Sequence, residues 1–131
     1  MIVLCANRPN VVEKIIDRLS RKSAVTRVQL ETLLLQKRVK MREIRVADAV
    51  RLRKPARVSP GSYYRVLDQA RSNFECAIFT LLLGVKLDVI QIEGITRLLS
   101  MVKEVPDEMV DESLEELVSV MSVLIKRIVM I

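Results

Sequence analysis

Histidine and tryptophan are absent from this chain of 131 residues, and glycine, proline and aromatic residues are scarce. Without histidine the chain lacks the commonest general base of enzymes. No glycine-rich phosphate loop of the Walker or dinucleotide type occurs. The nucleophilic side chains of Ser59, Ser62 and Cys76 have no evident base to activate them. The sequence therefore predicts a protein that is not an enzyme.

Only two cysteines, Cys5 and Cys76, are present, and a tetrahedral zinc site needs four ligands. We therefore expect no metal and no cofactor, and the two thiols are predicted to be buried apolar groups in a reducing compartment. The longest nearly uncharged apolar run, Cys76 to Val85, is about half the length that a membrane span needs. These features predict a cytoplasmic protein with no membrane partner.

Three glycines and four prolines leave little material for tight turns, which argues against a sheet of many strands. Half of the residues are hydrophobic, and nearly all of these are aliphatic. The fold class predicted is all-α, with a single domain over residues 1–131.

Charge is divided unevenly along the chain. Residues 1–75 carry 17 Lys and Arg against 7 Asp and Glu, whereas residues 76–131 carry 5 against 9. A basic helical part over residues 1–84 and an acidic, apolar helical part over residues 85–131 are therefore expected. The asymmetry favours a polyanionic partner for the first part.

Helix boundaries are marked by capping residues. Asn10 can cap a first helix that runs to about Lys22, and Thr26 with Gln29 forms a capping-box pattern for a second. We place a break within residues 40–44, and a third, short helix ends at Lys54 because Pro55 follows. The core face predicted for the second helix consists of Leu30, Leu33, Leu34 and Met41.

The stretch from Val58 to Gly84 predicts a long helix. Ser59 is a good N-cap, Pro60 suits the first helical position, and Gly84 offers a stop. Such a helix is about 36 Å long. The apolar side chains that recur on one of its faces are Tyr63, Leu67, Ala70, Phe74, Ala77 and Leu81.

Two segments leave strand and non-strand alternatives open. Met1–Ala6 is compatible with a short strand or an apolar arm, and residues 85–93 with a strand of a wing or a turn before a helix. A helix from about Asp88 to Lys103 and a last helix from Pro106 or Asp107 follow. The apolar stripe of the last helix either packs across the domain or joins a second copy or a helical partner. The second alternative is favoured, because two-fold dimers are the commonest assemblies, and the dimerisation residues predicted are Leu114, Leu117, Val118, Met121, Leu124, Ile125 and Ile128.

Nine basic residues and two acidic residues lie between Lys37 and Arg57. The run that follows, Val58-Ser59-Pro60-Gly61-Ser62-Tyr63-Tyr64-Arg65-Val66-Leu67, resembles the turn and recognition helix of helix-turn-helix proteins, including sigma-factor region 4 and the repressor type. The resemblance covers about thirty residues, 44–74, within a helix-turn-helix unit over about 44–75. The turn here is longer than the family's, and Ala47 or Ala49 would be the small residue that lets the two helices cross closely.

The resemblance implies double-stranded DNA as the partner, with Arg65 reading guanine and the basic residues before the helix contacting phosphates. The nucleic-acid-binding residues that it implies are Arg51, Arg53, Lys54, Arg57, Ser59, Gly61, Ser62, Tyr64, Arg65 and Asp68. Transcription regulation or chromosome association is the function expected. The alternative is a non-enzymatic adaptor that uses its basic face for an acidic protein partner and its last helix for docking.

Overall fold

The computed structural model describes residues 11–53, 58–106 and 109–131, with side chains from Lys14 onward. Within these ranges the predicted all-α class is confirmed, because the only β-pairing there is one isolated bridge. The helices are α1 (Val11–Arg21), α2 (Arg27–Lys40), α3 (Val46–Leu52), α4 (Pro60–Lys86), α5 (Ile92–Lys103) and α6 (Asp111–Ile128). The expectations for Asn10, Met1–Ala6 and the residues at 54, 57, 107 and 108 lie outside the described residues.

The chain divides into two compact units. We call residues 19–76 the basic unit, and residues 1–18 with 77–131 the second unit. The division within the long helix falls between Cys76 and Ala77, eight residues before the division that the charge distribution predicts after Gly84. The basic unit contains 14 Lys and Arg and 5 Asp and Glu, and the second unit contains 8 Lys and Arg and 11 Asp and Glu.

The core of the basic unit is formed where α2, α3 and the start of α4 meet. Ala49 and Val50 of α3 are buried with Tyr63 of α4. The half-buried apolar side chains that pack against these three residues are Leu35, Val39, Ile44, Val46, Val58 and Leu67. Each of the three helices thus contributes an apolar face to one small core.

Helix α2 begins and ends with hydrogen-bonded caps. The Gln29 N–H donates to Thr26 Oγ1 and the Thr26 N–H donates to Gln29 Oε1, both at 3.2 Å, which confirms the capping box. At the other end Arg42 adopts a left-handed conformation with φ 61°. The Arg42 N–H donates to the Val39 carbonyl, and the Glu43 N–H donates to the Arg38 carbonyl. This pair of hydrogen bonds is a Schellman motif. The break predicted within residues 40–44 is therefore confirmed, although no glycine makes it.

The core face predicted for α2 is wrong in part. Leu34 and Met41 are exposed, whereas the buried side chains of this helix are Gln29 and Thr32. Burial of these polar groups is tolerated because they are hydrogen-bonded. Thr32 Oγ1 donates to the Val28 carbonyl at 2.8 Å, and Gln29 accepts from α4 as described below.

Helix α4 starts as the sequence predicts. The Ser62 N–H donates to Ser59 Oγ at 3.0 Å, and Pro60 occupies the first helical position. Its apolar stripe is buried only in its first half, since Tyr63 and Ala70 are buried whereas Phe74 and Ala77 are exposed. The 27-residue helix is about 40 Å long.

Gly84 does not end this helix, which continues to Lys86. The left-handed residue is Asp88, with φ 60°; its N–H donates to the Val85 carbonyl and the Val89 N–H to the Gly84 carbonyl. This is again a Schellman motif. Gly84 instead allows close packing, because a Cβ there would overlap the side chain of Ile90.

In the second unit α5 packs against α6. Gly94 of α5 lies against the Ile128 side chain in the same way that Gly84 lies against Ile90. The open question about residues 85–93 is answered by a turn with one antiparallel bridge, Ile90 to Val129, flanked by the 2.8 Å hydrogen bond from the Met130 N–H to the Val89 carbonyl. Helix α5 then starts at Ile92, four residues later than predicted.

Two ion pairs join α1 to α6. Lys14 Nζ lies 2.6 Å from the Asp111 carboxylate, and Arg18 lies 2.7 Å from that of Glu115. Hydrogen bonding to Lys14 holds the pKa of Asp111 below its ordinary value. The acidic start of α6 therefore has partners within the second unit.

Two further sequence expectations concern apolar surface. None of the described helices has the length and apolar character that crossing a membrane requires. Cys76, predicted to be buried, is exposed.

Candidate nucleic-acid interface

The first three turns of α4 have a buried face and an exposed face. Tyr63 and Ala70 are completely buried, whereas Tyr64, Arg65 and Asp68 are exposed. Since residues one and two positions after Tyr63 lie about 100° and 200° around the helix axis, they point away from the core. The side chains that the helix-turn-helix resemblance assigns to the groove are therefore at the surface in this unit.

The N-terminal end of α4 is open to a ligand. Ser59, Pro60 and Gly61 are exposed, Ser62 is half-buried, and the first turn contains no acidic residue. The partial positive charge of the helix N-terminus consequently has no carboxylate beside it in that turn. Such an end is suited to a phosphate oxygen.

Hydrogen bonds fix the rotation of α4 against α2. The Tyr63 hydroxyl donates to Gln36 Oε1 at 3.1 Å, and Asn73 Nδ2 donates to Gln29 Oε1 at 2.8 Å and to the Ala24 carbonyl at 3.3 Å. Burial raises the pKa of Tyr63, so the hydroxyl stays protonated and able to donate. The sequence does not identify Gln29, Gln36 and Asn73 as positioning residues, because nothing local marks a polar pair that meets across two helices.

The Tyr64 ring stands edge-on to that of Tyr63, with ring centroids 5.7 Å apart and an interplanar angle of 89°. This edge-to-face arrangement is a favourable aromatic geometry. It orients the half-exposed phenol of Tyr64, the residue before Arg65 in the sequence.

The small residue expected in the helix before the turn is Ala49. It is fully buried in the core, whereas Ala47 is exposed. A side chain no larger than a methyl group at that position lets the α3 backbone approach its neighbours closely.

The exposed arginines differ in their ion pairs. Arg51 pairs with Asp48 of α3, and Arg71 pairs with Asp68 of α4 at 3.0 Å. No acidic side chain among residues 14–53, 58–106 and 109–131 pairs with Arg65. Arg65 therefore presents a guanidinium to solvent with its donors uncommitted to a carboxylate, whereas Asp68 is committed to Arg71.

Asp48 stabilises the start of α3. Its carboxylate accepts a hydrogen bond from the Arg45 N–H at 3.2 Å and contacts the Arg51 guanidinium. These interactions lower the pKa of Asp48, the backbone hydrogen bond contributing most.

Arg53 requires a correction. The sequence predicts that it contacts phosphate, yet only 5% of the residue is exposed, and Nε and Nη1 are buried with no hydrogen-bond partner among the described residues. A phosphate on the surface cannot reach this side chain as it is placed here. Its backbone is held at the end of α3, where the Arg53 N–H donates to the Ala49 carbonyl.

The dimerisation set on α6 also requires correction. Leu114, Met121 and Ile128 are buried within the chain, so they are not available to a partner. Leu117, Val118 and Leu124 are half-buried, and only Ile125 of the set is exposed. Of the two alternatives that the sequence leaves open for this apolar face, internal packing is the one that the three buried residues show.

Metal ligands are not grouped in the described parts of the chain, where no three Cys, Asp or Glu side chains are close enough to hold an ion. The chemistry available at the surface of the basic unit is that of guanidinium, ammonium, hydroxyl and amide donors, which bind anions.

Comparison with known protein families, with curated proteins and with solved structures gives no match to this chain. What can be said of its function therefore comes from its own residues and their arrangement.

Proposed function

We propose that this chain binds double-stranded DNA through a helix-turn-helix formed by α3 and α4, as a transcription regulator or chromosome-associated factor. The observation that supports the proposal most is the division of α4 into a buried face and an exposed face, with Tyr63 and Ala70 inside and Tyr64 and Arg65 outside. A recognition helix needs this arrangement, because one face must be held by the core while the other enters the major groove.

Charge supports the same proposal. The basic unit has a net charge of +9, from 14 Lys and Arg against 5 Asp and Glu. Three exposed cations without an acidic partner among the described residues lie at the end of α2 and just after it: Lys37, Lys40 and Arg42. Release of counterions from DNA by such cations gives affinity without sequence preference.

Specific roles follow for the α4 side chains. Arg65 reads a guanine through two parallel hydrogen bonds, while Ser59, Gly61 and Ser62 approach phosphate at the helix N-terminus. Tyr64 contacts phosphate or a thymine methyl group. Arg51 contributes to phosphate binding, and Arg53, being buried, is excluded from that role. The function proposed involves no catalytic step and places the protein at the chromosome, in the cytoplasm.

Substitution of Arg65 tests the base-reading role. We expect Arg65→Ala to reduce the preference for the selected DNA sequence by about 1–3 kcal/mol at one base pair, since one bidentate contact is lost. Arg127→Ala is the matched control, because Arg127 is an exposed arginine on α6 in the acidic second unit.

The measurement is competition binding with a selected duplex and its single-base variants. Equal loss of affinity on all duplexes would contradict the base-reading role of Arg65 and leave it a phosphate contact. No binding to any duplex at about 50 mM salt would overturn the proposed function, because the electrostatic contribution is largest there. Binding of an acidic protein instead would favour the adaptor.

A further inference from the structure

The second half of α4 has an unusual surface. From Cys76 to Val85 no side chain is charged, although much of this stretch faces solvent. The large apolar side chains there and just beyond are between 57% and 71% exposed, and they are Ile78, Phe79, Leu82, Leu83 and Leu87.

The area of this surface is large enough to form the apolar centre of an interface. Each of the five side chains exposes about 100 Å², so together they present roughly 500 Å², near the upper end for the largest apolar patch on a monomer. An interface of standard size buries about 800 Å² on each partner, so this surface would be its apolar centre.

The spacing along the helix is that of a helix–helix seam. Glu75, Phe79, Leu82 and Lys86 follow one another at intervals of four, three and four residues, which are the intervals of core positions in a coiled coil. All four are exposed. The seam therefore has two apolar residues at its centre and opposite charges at its two ends.

We propose that the occupant of this surface is α4 of a second copy of the chain, packed antiparallel about a two-fold axis. With the axis between Thr80 and Leu81, Glu75 of one copy lies opposite Lys86 of the other, and Phe79 lies opposite Leu82. Every contact then occurs twice, as an isologous interface requires.

The end charges select this orientation. In a parallel pair, Glu75 would face a second Glu75 and Lys86 a second Lys86, and like charges at these positions repel. The antiparallel arrangement turns both repulsions into attractions. A partner of a different sequence would need this same pattern of acid, two apolar residues and base, which the chain itself already supplies.

The interface differs from the one that the sequence predicts on α6, where Leu114, Met121 and Ile128 are buried inside the chain. It is also independent of DNA binding, since the seam begins ten residues after Arg65.

Sedimentation equilibrium of the full chain between about 1 and 100 µM tests the proposal, because dimers of moderate affinity dissociate within this range. We expect a dimer for the unmodified chain and a monomer for Leu82→Asp. Ile125→Asp is the matched control, because Ile125 is an exposed apolar residue of α6, and it should leave the dimer intact. Circular dichroism should show unchanged helix content, since both side chains are at the surface.

Charge exchange tests the orientation. Glu75→Lys and Lys86→Glu should each weaken dimerisation by about tenfold, because each single change opposes like charges at two symmetric places. The double variant should recover the affinity of the unmodified chain.

Three outcomes would overturn the proposal. One is a monomer at every concentration. Another is loss of the dimer in Ile125→Asp but not in Leu82→Asp. The third is single charge variants with unchanged affinity, which would mean a parallel pair or another interface.

Discussion

Replacing Arg53 by methionine should make the protein more stable. The side chain ends in a guanidinium, of which Nε and Nη1 are buried without hydrogen-bond partners in the described part of the chain, and the residue is 5% exposed. A charged group in this position loses its hydration on folding and receives little in return. Methionine has a similar length and an apolar end, so it can fill the same space.

The expected change in the free energy of unfolding follows from the two unpaired donors. An unsatisfied buried polar group costs about 1–3 kcal/mol, and more when the group is charged. After allowing for packing that methionine does not reproduce, we expect Arg53→Met to raise the free energy of unfolding by about 2 kcal/mol. For a chain of this size such a change raises Tm by roughly 5–10 °C.

Urea unfolding followed by far-ultraviolet circular dichroism measures the effect, with the slope expected to stay constant while the midpoint rises. Arg51→Met is the control, since the Arg51 side chain is 75% exposed and its pair with Asp48 is at the surface. That substitution should change stability by less than about 1 kcal/mol. DNA affinity should be unchanged in Arg53→Met.

A loss of more than about 1 kcal/mol in Arg53→Met would refute the reasoning, because it would mean that the guanidinium makes favourable interactions in the folded state. Weaker binding to DNA at unchanged stability would instead restore Arg53 to the phosphate-contacting set.

Substitutions at three further positions, Gly84, Asp88 and Asp48, test other features of the fold. Gly84→Ala should destabilise the protein by about 1–2 kcal/mol despite the better helix propensity of alanine, since its Cβ overlaps Ile90, and Ile90→Val should recover part of the loss in a double-mutant cycle of urea midpoints. Asp88→Gly should stabilise by up to about 1 kcal/mol, because φ is 60° there; a lower thermal midpoint would contradict this. The pKa of Asp48 is lowered in the folded state, so its contribution to stability is present above about pH 4 and is lost as the pH falls through the folded value. Asp48→Asn should therefore lose less stability than the unmodified chain between about pH 4 and pH 2 in urea titrations, and equal slopes would contradict the assigned interactions.

Features that depend on neighbouring residues in sequence could be predicted. The capping box of Thr26 and Gln29, the N-cap of Ser59 and the start of α4 at Pro60 all involve residues within one helical turn. Their hydrogen bonds form whatever the rest of the chain does, so the residue types suffice to predict them.

Helix ends without glycine could not be predicted. Arg42 and Asp88 both adopt left-handed conformations in Schellman motifs, a conformation that costs non-glycine residues energy. Such a cost is accepted because the chain must turn there to complete its packing. Gly84, the residue that looked like a stop, is used for close contact with Ile90 instead.

Packing between helices could be predicted only in part. The apolar periodicity identified Tyr63 and Ala70 as the buried face of α4, and with it the exposed face that carries Arg65. Periodicity did not reveal the polar contacts between α2 and α4, because Gln29 and Gln36 find their hydrogen-bond partners, Asn73 and Tyr63, only when the two helices meet. The burial of Arg53 could not be predicted either, because it depends on tertiary packing, whereas the charge of the side chain alone favours a position at the surface.

The most direct test of the proposed function is to map the DNA surface by amide chemical shifts of the isotope-labelled chain, with and without a duplex at about 50 mM salt, where electrostatic binding is strong. The account predicts that the largest changes fall on residues 59–68, at the first turns of α4, and that α5 and α6 change little. Changes confined to α5 and α6, or no changes at all, would contradict it.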